Sequence, residues 1–246
     1  MENIIQYSKE NEEYFFKRIE ELTDKNQFLA CIETLESIPK EKRDYRICYE
    51  LARAYQNFAI IGENEKGTEI ELGRELLLTS ISILESVREE GENKAKWNMR
   101  MAYGYQYLED KEEFAIPYAL HWAELDPSDK DAMAVVEECK QALKNRVKKA
   151  VLSKVYEIVV EILKSHKITD SLDYSNRENE ELEEIDEEIY LAIKDYAVEE
   201  EDILDVIENV LEDLESVNKY KNGGKIMEKI THDFFWRIRL GKGTGR

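Results

Sequence analysis

The chain has 246 residues, which is enough for one long helical array or for two modest domains. Charged residues make up 37% of it, and only three prolines and ten glycines occur, so the composition favours long solvent-exposed helices over a sheet. The net charge of −20 argues against nucleic acid as a ligand, because binding to phosphates requires cationic neutralisation.

The N-terminal residues predict an amphipathic helix, because apolar side chains recur at helical spacing between Ile4 and Leu22. This segment lacks the basic start, apolar core and small-residue cleavage site of a signal peptide. No run of about 18 apolar residues occurs in the sequence, so we predict no membrane span. We therefore expect a cytoplasmic protein.

The stretch that ends at Pro127 predicts two helices folded against each other. In the second helix the apolar face extends from Phe114 to Leu125 and stops before Pro127, because proline disfavours helical geometry in the preceding residue. Asp110 and Glu113 fit a capping box at its start. In the first helix, apolar or small side chains recur at three- and four-residue spacing and form one stripe: Met101, Ala102, Tyr105 and Leu108.

After Pro127 the sequence predicts further helices. Ser128 offers an N-cap for a third helix from about Asp129 to Leu143. Beyond it, apolar spacing predicts four more helices, with a linker over 165–179. Their ranges are 146–164, 182–196, 203–214 and 226–240.

The helix pair before Pro127 resembles a tetratricopeptide repeat, a two-helix unit of about 34 residues. The first-helix pattern recurs upstream at 51–55, and a second-helix pattern runs from Phe28 to Pro39. The offset from Leu51 to Met101 exceeds one repeat, and the polar segment 62–68 with two glycines is the natural place for an insertion. The positions that match the family pattern are Met101, Ala102, Tyr105, Ala115 and Pro127.

The resemblance, which covers roughly residues 25 to 143, implies an all-α fold with an antiparallel helix-pair, tetratricopeptide-like solenoid over residues 1–145. An additional acidic C-terminal helical domain with a basic tail would follow over 146–246. Such arrays bind a protein or peptide in a concave groove lined mainly by the first helix of each repeat. The groove candidates are Arg46, Tyr49, Arg53, Gln56, Asn57, Asn98, Arg100, Tyr103 and Gln106. The alternative interpretation of these residues is an ordinary exposed helix surface.

Charge is unevenly distributed in the C-terminal half. Residues 171–215 carry 19 Asp/Glu and 2 Lys/Arg, whereas residues 216–246 carry 8 Lys/Arg and 2 Asp/Glu. This pattern suggests a second function, an acidic immunity or antitoxin-type protein that neutralises a basic partner such as a toxin. The carboxylates that would make this contact are Glu180, Glu181, Glu184, Glu187 and Glu188.

Catalytic, cofactor and metal signatures are missing from the sequence, so we expect no enzyme. The three cysteines have no CxxC spacing, and the three histidines are dispersed with no nucleophile at a diagnostic distance. The glycine-rich segment 241–246 follows a predicted helix, whereas a phosphate loop opens one. The aromatic-basic cluster 234–239 is interpreted either as core with Trp236 at its edge or as a docking patch.

Overall fold

The structure is a computed structural model that describes residues 7–63, 66–196 and 198–219. These residues form helices and no strands, so the all-α prediction is confirmed. By their contacts the chain divides into two compact units, Met1–Leu143 and Lys144–Arg246. The helices are α1 (Glu12–Thr23), α2 (Phe28–Glu36), a 3₁₀ turn (Lys40–Lys42), α3 (Tyr45–Ile61), α4 (Ile70–Glu85), α5 (Arg88–Gly91), α6 (Ala95–Gln106), α7 (Glu112–Leu125), α8 (Asp131–Ser165), α9 (Ser171–Ser175), α10 (Asn179–Ile193) and α11 (Glu200–Lys219).

In the first unit, helices pack mainly against their neighbours in the chain. Helix α2 lies against α1 and α3, α3 lies against α4, and α6 lies against α7. Helix α6 also contacts both α3 and α4. The fully buried side chains come mainly from the apolar stripes of these helices, with Leu108 in the turn after α6. The largest of them are Trp97, Trp122, Phe15, Phe28, Ile19, Leu35, Ile47, Leu51, Leu84, Met101 and Leu108.

Helix α3 has clear boundary signals in the sequence. It begins after Asp44, whose side chain accepts a hydrogen bond from the Ile47 backbone amide at 3.1 Å and so satisfies one free donor of the first turn. It ends just before Gly62, whose φ of 78° lies in the left-handed region that glycine adopts without strain. The loop that follows, which the sequence marked as an insertion, separates α3 from α4.

Small residues let α6 approach its neighbours closely. A Cβ added to Gly104 would lie 2.9 Å from Cγ1 of Ile81 on α4 and 3.1 Å from the side-chain nitrogen of Gln56 on α3. Ala102, two residues earlier, is completely buried. The close packing of α6 therefore depends on side chains no larger than a methyl group.

Three local predictions differ from the structure. The residue before α7 is Lys111, and Asp110 instead has a φ of 63°, so the predicted capping box is wrong. Helix α8 begins at Asp131, and the Ser128 hydroxyl donates to the Asp126 carboxylate at 2.6 Å, so Ser128 is not the N-cap. The two helices predicted over 129–143 and 146–164 are one helix, because no proline or glycine interrupts them.

The second unit is built from the later part of α8 together with α9, α10 and α11. The predicted linker contains the short helix α9, which Asp170 caps by accepting from the Asp173 amide at 2.8 Å. The helix predicted over 226–240, the cluster 234–239 and the terminal glycines all lie outside the described residues. The buried apolar residues come from three helices and one loop: Val155, Val159, Ile162, Leu163, Ile168, Ile185, Ile189, Ile193, Val206, Val210 and Leu211.

We expect the protein to lose stability at alkaline pH. Burial raises the pKa of the Cys139 thiol to about 11 and the pKa of Tyr45 and Tyr55 to about 12, from ordinary values of 9.0 and 10.0. Since the folded state holds these groups neutral, their stabilisation is complete below the unfolded pKa values and is lost as pH rises through the folded ones.

Thermal unfolding followed by circular dichroism tests this expectation. Tm should be constant from about pH 7 to 8.5 and fall between about pH 9 and 12. Cys139→Ala removes one of the titrating groups, whereas the buried thiols of Cys31 and Cys48 remain, so the decline of Tm in this variant should be smaller than that of the unmodified protein. A Tm that stays constant up to pH 12, or one that begins to fall below pH 8, would contradict the prediction.

Candidate partner-binding surface

The groove candidates lie on two helices that contact each other, α3 and α6. Five of them belong to α3 and four belong to α6. Seven of the nine side chains are exposed or half-buried, and two are buried. We call the accessible seven the α3–α6 surface: Arg46, Tyr49, Arg53, Asn57, Arg100, Tyr103 and Gln106.

Gln56 and Asn98 do not line an open surface, so this part of the prediction is wrong. Gln56 is 0% exposed, and its Nε2 donates to Ser80 Oγ at 3.2 Å and to the Arg100 carbonyl oxygen at 2.7 Å. Asn98 is 2% exposed, and its Nδ2 donates to two backbone carbonyl oxygens just before α6, at 2.7 and 3.1 Å. Both side chains are committed to buried hydrogen bonds that join neighbouring segments.

Gln106 makes a contact that resembles the one made by Gln56. Its Nε2 donates to Glu138 Oε2 on α8 at 2.6 Å. When Leu51 is aligned with Met101, Gln56 and Gln106 occupy the same position of the pattern. Each of the two amides therefore reaches to a helix that follows later in the chain.

One end of the α3–α6 surface is held by side chains of α1 and α3. The Arg46 Nη1 lies 3.2 Å from Glu13 Oε1, and its guanidinium lies 3.9 Å from the centroid of the Phe16 ring. The Tyr49 ring stacks on Tyr45 with 6.2 Å between the centroids. These contacts fix the orientation of Arg46 and Tyr49 before any ligand arrives.

The centre of the surface contains two arginines with unused donors. In the part of the chain that the structure describes, the Nε atoms of Arg53 and Arg100 are buried without a hydrogen-bond partner. Arg53 uses Nη1 to contact Glu50 Oε2 at 3.3 Å. A buried donor without an acceptor costs free energy, so an acceptor on a bound molecule would stabilise both side chains if a rotation of each guanidinium brought its Nε to the surface.

Asn57 and Tyr103 are half-buried and add neutral hydrogen-bonding groups to the same surface. The Tyr103 ring packs edge-on against Trp122 with 5.6 Å between the centroids. Burial raises the pKa of the Tyr103 hydroxyl, and Asp131 raises it further. The phenol therefore stays protonated and can donate a hydrogen bond.

The sequence analysis did not identify Glu50 and Tyr45 as parts of this surface. Glu50 orients the guanidinium of Arg53, and Tyr45 supports the ring of Tyr49. Their spacings of three and four residues from these partners are the helical spacings at which side chains meet. That spacing is the signal that would have identified them.

The acidic candidates lie together on α10. All five carboxylate side chains are exposed, while Ile185, Ile189 and Ile193 bury the opposite side of the helix. The His166 Nε2 lies 2.8 Å from Glu188 Oε2, and an Arg177 nitrogen lies 3.7 Å from Glu181 Oε2. This helix presents a dense row of solvated carboxylates.

Neither surface is assigned a function by a metal site, a membrane helix or a similarity to known proteins. Among the described residues, no three or more His, Cys, Asp or Glu side chains are arranged to hold a metal ion. No helix in the described ranges combines the length and the apolar character needed to cross a membrane. Comparison with family models, curated proteins and solved structures finds no match for this chain.

Proposed function

We propose that this chain is a non-catalytic protein–protein interaction module, without a cofactor, that binds a protein or peptide through the α3–α6 surface. The observation that carries the proposal is the pair of buried donors at the Nε atoms of Arg53 and Arg100, which no acceptor within the described residues uses. A peptide supplies backbone carbonyl and carboxylate oxygens, which are the acceptors that these guanidinium groups require. Asn57 and Tyr103 add donors and acceptors beside them.

The architecture that we propose is a tetratricopeptide-like solenoid of antiparallel helix pairs, followed by an acidic C-terminal helical domain. The pairs would be α1 with α2, α3 with α4, and α6 with α7. Two observations support this arrangement, the contact between α3 and α6 and the equivalent bridging contacts of Gln56 and Gln106.

The buried free cysteines are typical of a reducing compartment, which supports a cytoplasmic location.

The full-length double variant Arg53→Ala/Arg100→Ala tests the proposed surface. A partner recovered by affinity capture from native lysate would be purified, and its Kd would be measured by calorimetry. We expect the double variant to bind about 10- to 100-fold more weakly, because arginine truncations at interface centres have effects of this size.

The matched control for this experiment is Arg74→Ala, which removes an exposed arginine from α4. The Kd of Arg74→Ala should stay close to that of the unmodified protein. The Tm should stay close to that of the unmodified protein in every variant, including the double one. Undiminished affinity in the double variant would contradict the α3–α6 surface. Robust turnover of a substrate would contradict the non-catalytic role.

The exposed carboxylates of α10 favour a second candidate function, an acidic immunity or antitoxin-type protein that neutralises a basic partner. The salt dependence of binding separates the two candidate functions, because contacts between exposed charges weaken as ionic strength rises. The variant with glutamine at Glu180, Glu181, Glu183, Glu184, Glu187 and Glu188 should keep a partner of the α3–α6 surface. The same variant, like high salt, should release a basic partner held by α10.

A further inference from the structure

An open cleft of about 540 Å³ lies between α8 and α11 in the second unit. Leu152 and Val206 contribute apolar surface to it, and the polar groups are divided by charge between its walls. The α8 wall carries Lys148, Lys149 and Tyr156, and the α11 wall carries Asp202, Asp205, Glu212 and Asp213. Two lysines against four carboxylates give the cleft a net charge of −2.

Part of this charge is already neutralised within the cleft. The Lys148 Nζ lies 2.8 Å from Asp202 Oδ2, and the Tyr156 hydroxyl donates to Asp213 Oδ2 at 2.8 Å. Asp205 and Glu212 are exposed on the same wall. A ligand that combines an apolar face with positive charge would therefore match both the lining and its charge.

The chain itself continues with a segment of this kind. Residues 220–246, which lie outside the described ranges, carry seven Lys/Arg and two Asp/Glu and so have a net charge of +5. They follow directly after α11, which ends at Lys219. Within them, apolar residues at helical spacing predict a helix over 226–240, and Asn222-Gly223-Gly224 is a typical turn signal before it.

The length and the direction of this segment fit the cleft. A helix of 15 residues is about 22 Å long, and the α11 wall from Asp202 to Asp213 spans about 17 Å. Helices joined by a short connection pack as antiparallel neighbours. A helix over 226–240 would therefore run back along α11 from the end of the cleft that contains Glu212 and Asp213.

We propose that residues 226–240 occupy the cleft between α8 and α11 of the same chain. Ile226, Ile230, Phe234 and Ile238 share one face of the predicted helix, and this face packs on Leu152 and Val206. Basic side chains beside this face lie against Asp205 and Glu212. The proposal does not depend on the α3–α6 surface.

The carboxylates of α10 are a weaker match for this segment. They form an exposed row on a single helix, and the three isoleucines of that helix, Ile185, Ile189 and Ile193, are already buried in the core of the second unit. The α8–α11 cleft combines the exposed acidic groups of Asp205 and Glu212 with an apolar lining, so it accommodates both the charge and the apolar face of the segment.

Hydrogen exchange followed by mass spectrometry on the full-length protein tests the proposal. In Phe234→Asp, backbone amides in 145–156 and 202–213 should exchange about tenfold faster or more, because the cleft loses its cover. The matched control is His232→Asp, which adds the same charge on the opposite side of the predicted helix and should leave these rates unchanged. Equal rates in Phe234→Asp and in the unmodified protein would overturn the proposal.

Carbodiimide cross-linking identifies the occupant of the cleft. An antiparallel segment brings Lys229 to Glu212 or Asp213, and a mixture of unlabelled and ¹⁵N-labelled protein shows whether a cross-link joins one chain or two. Links within one chain support the proposal. Links found only between chains, or only to the carboxylates of α10, would overturn it by assigning the segment to a second copy or to the acidic helix.

Discussion

Replacing Trp97 by alanine is expected to lower the free energy of unfolding by about 3–5 kcal/mol, in the range found for truncation of large buried aromatic side chains. Trp97 is 1% exposed, and its Nε1 donates to the Leu84 carbonyl oxygen at 3.0 Å. Its ring meets that of Tyr118 edge-on, with 5.7 Å between the centroids. The substitution removes this hydrogen bond and leaves a cavity where α4 and α6 meet.

Urea unfolding followed by circular dichroism measures this effect. The matched variant Trp97→Phe keeps an aromatic ring and loses the indole donor, so its loss should be smaller, about 1–2 kcal/mol. A loss below about 1 kcal/mol for Trp97→Ala would show that the side chain is not part of a packed core. Since Trp97 and Arg100 both lie on α6, the alanine variant should also weaken binding at the α3–α6 surface.

Gly91→Ala is expected to destabilise the protein by about 1–3 kcal/mol, the usual cost of inserting a group into a well-packed core. The new Cβ would lie 2.6 Å from Cγ and 2.7 Å from Nε1 of Trp97, distances that real contacts of this type do not reach. The indole ring is rigid and buried, so it cannot move away locally. The higher helix propensity of alanine, about 1 kcal/mol, does not compensate for this clash.

Gly73→Ala is the control for this prediction. Gly73 is also a buried helical glycine, but the nearest atom to its added Cβ is the Ala59 carbonyl oxygen at 3.4 Å, an ordinary contact distance. This substitution should be neutral or stabilise the protein by up to about 1 kcal/mol. If both substitutions destabilise the protein equally, the cost is a general effect of alanine, and the predicted clash between the new Cβ and the Trp97 ring would be contradicted.

Many buried helix positions were predictable from short-range spacing, although Phe114 and Leu125, which were assigned to the apolar face of α7, are exposed. Met101, Ala102 and Leu108 were assigned to one stripe, and all three are buried, although α6 ends at Gln106 and Leu108 lies in the turn that follows it. Tyr105 belongs to the same stripe but is only half-buried, and it stacks on Tyr118 with 5.8 Å between the ring centroids. Periodicity thus identifies the face of a helix that packs, because side chains three and four residues apart share that face.

Polar residues at helix crossings were not predictable in this way. Gln56 and Asn98 were expected to face a partner because they lie on the first helix of a repeat, outside its apolar stripe. Gln56 instead donates to the Arg100 carbonyl oxygen, 44 residues further along the chain. No pattern within one helix shows which backbone carbonyl a second helix will bring to such a side chain.

The sequence by itself determined the all-α class, the apolar stripes and the separation of acidic from basic segments. These properties depend on composition and on residues within one helical turn of each other. The tertiary structure decided which polar side chains become buried bridges and which remain accessible, and it placed the unused donors of Arg53 and Arg100. It also placed the mixed-charge cleft between α8 and α11. These features need contacts between distant parts of the chain, because burial and pairing are set by the neighbouring helix.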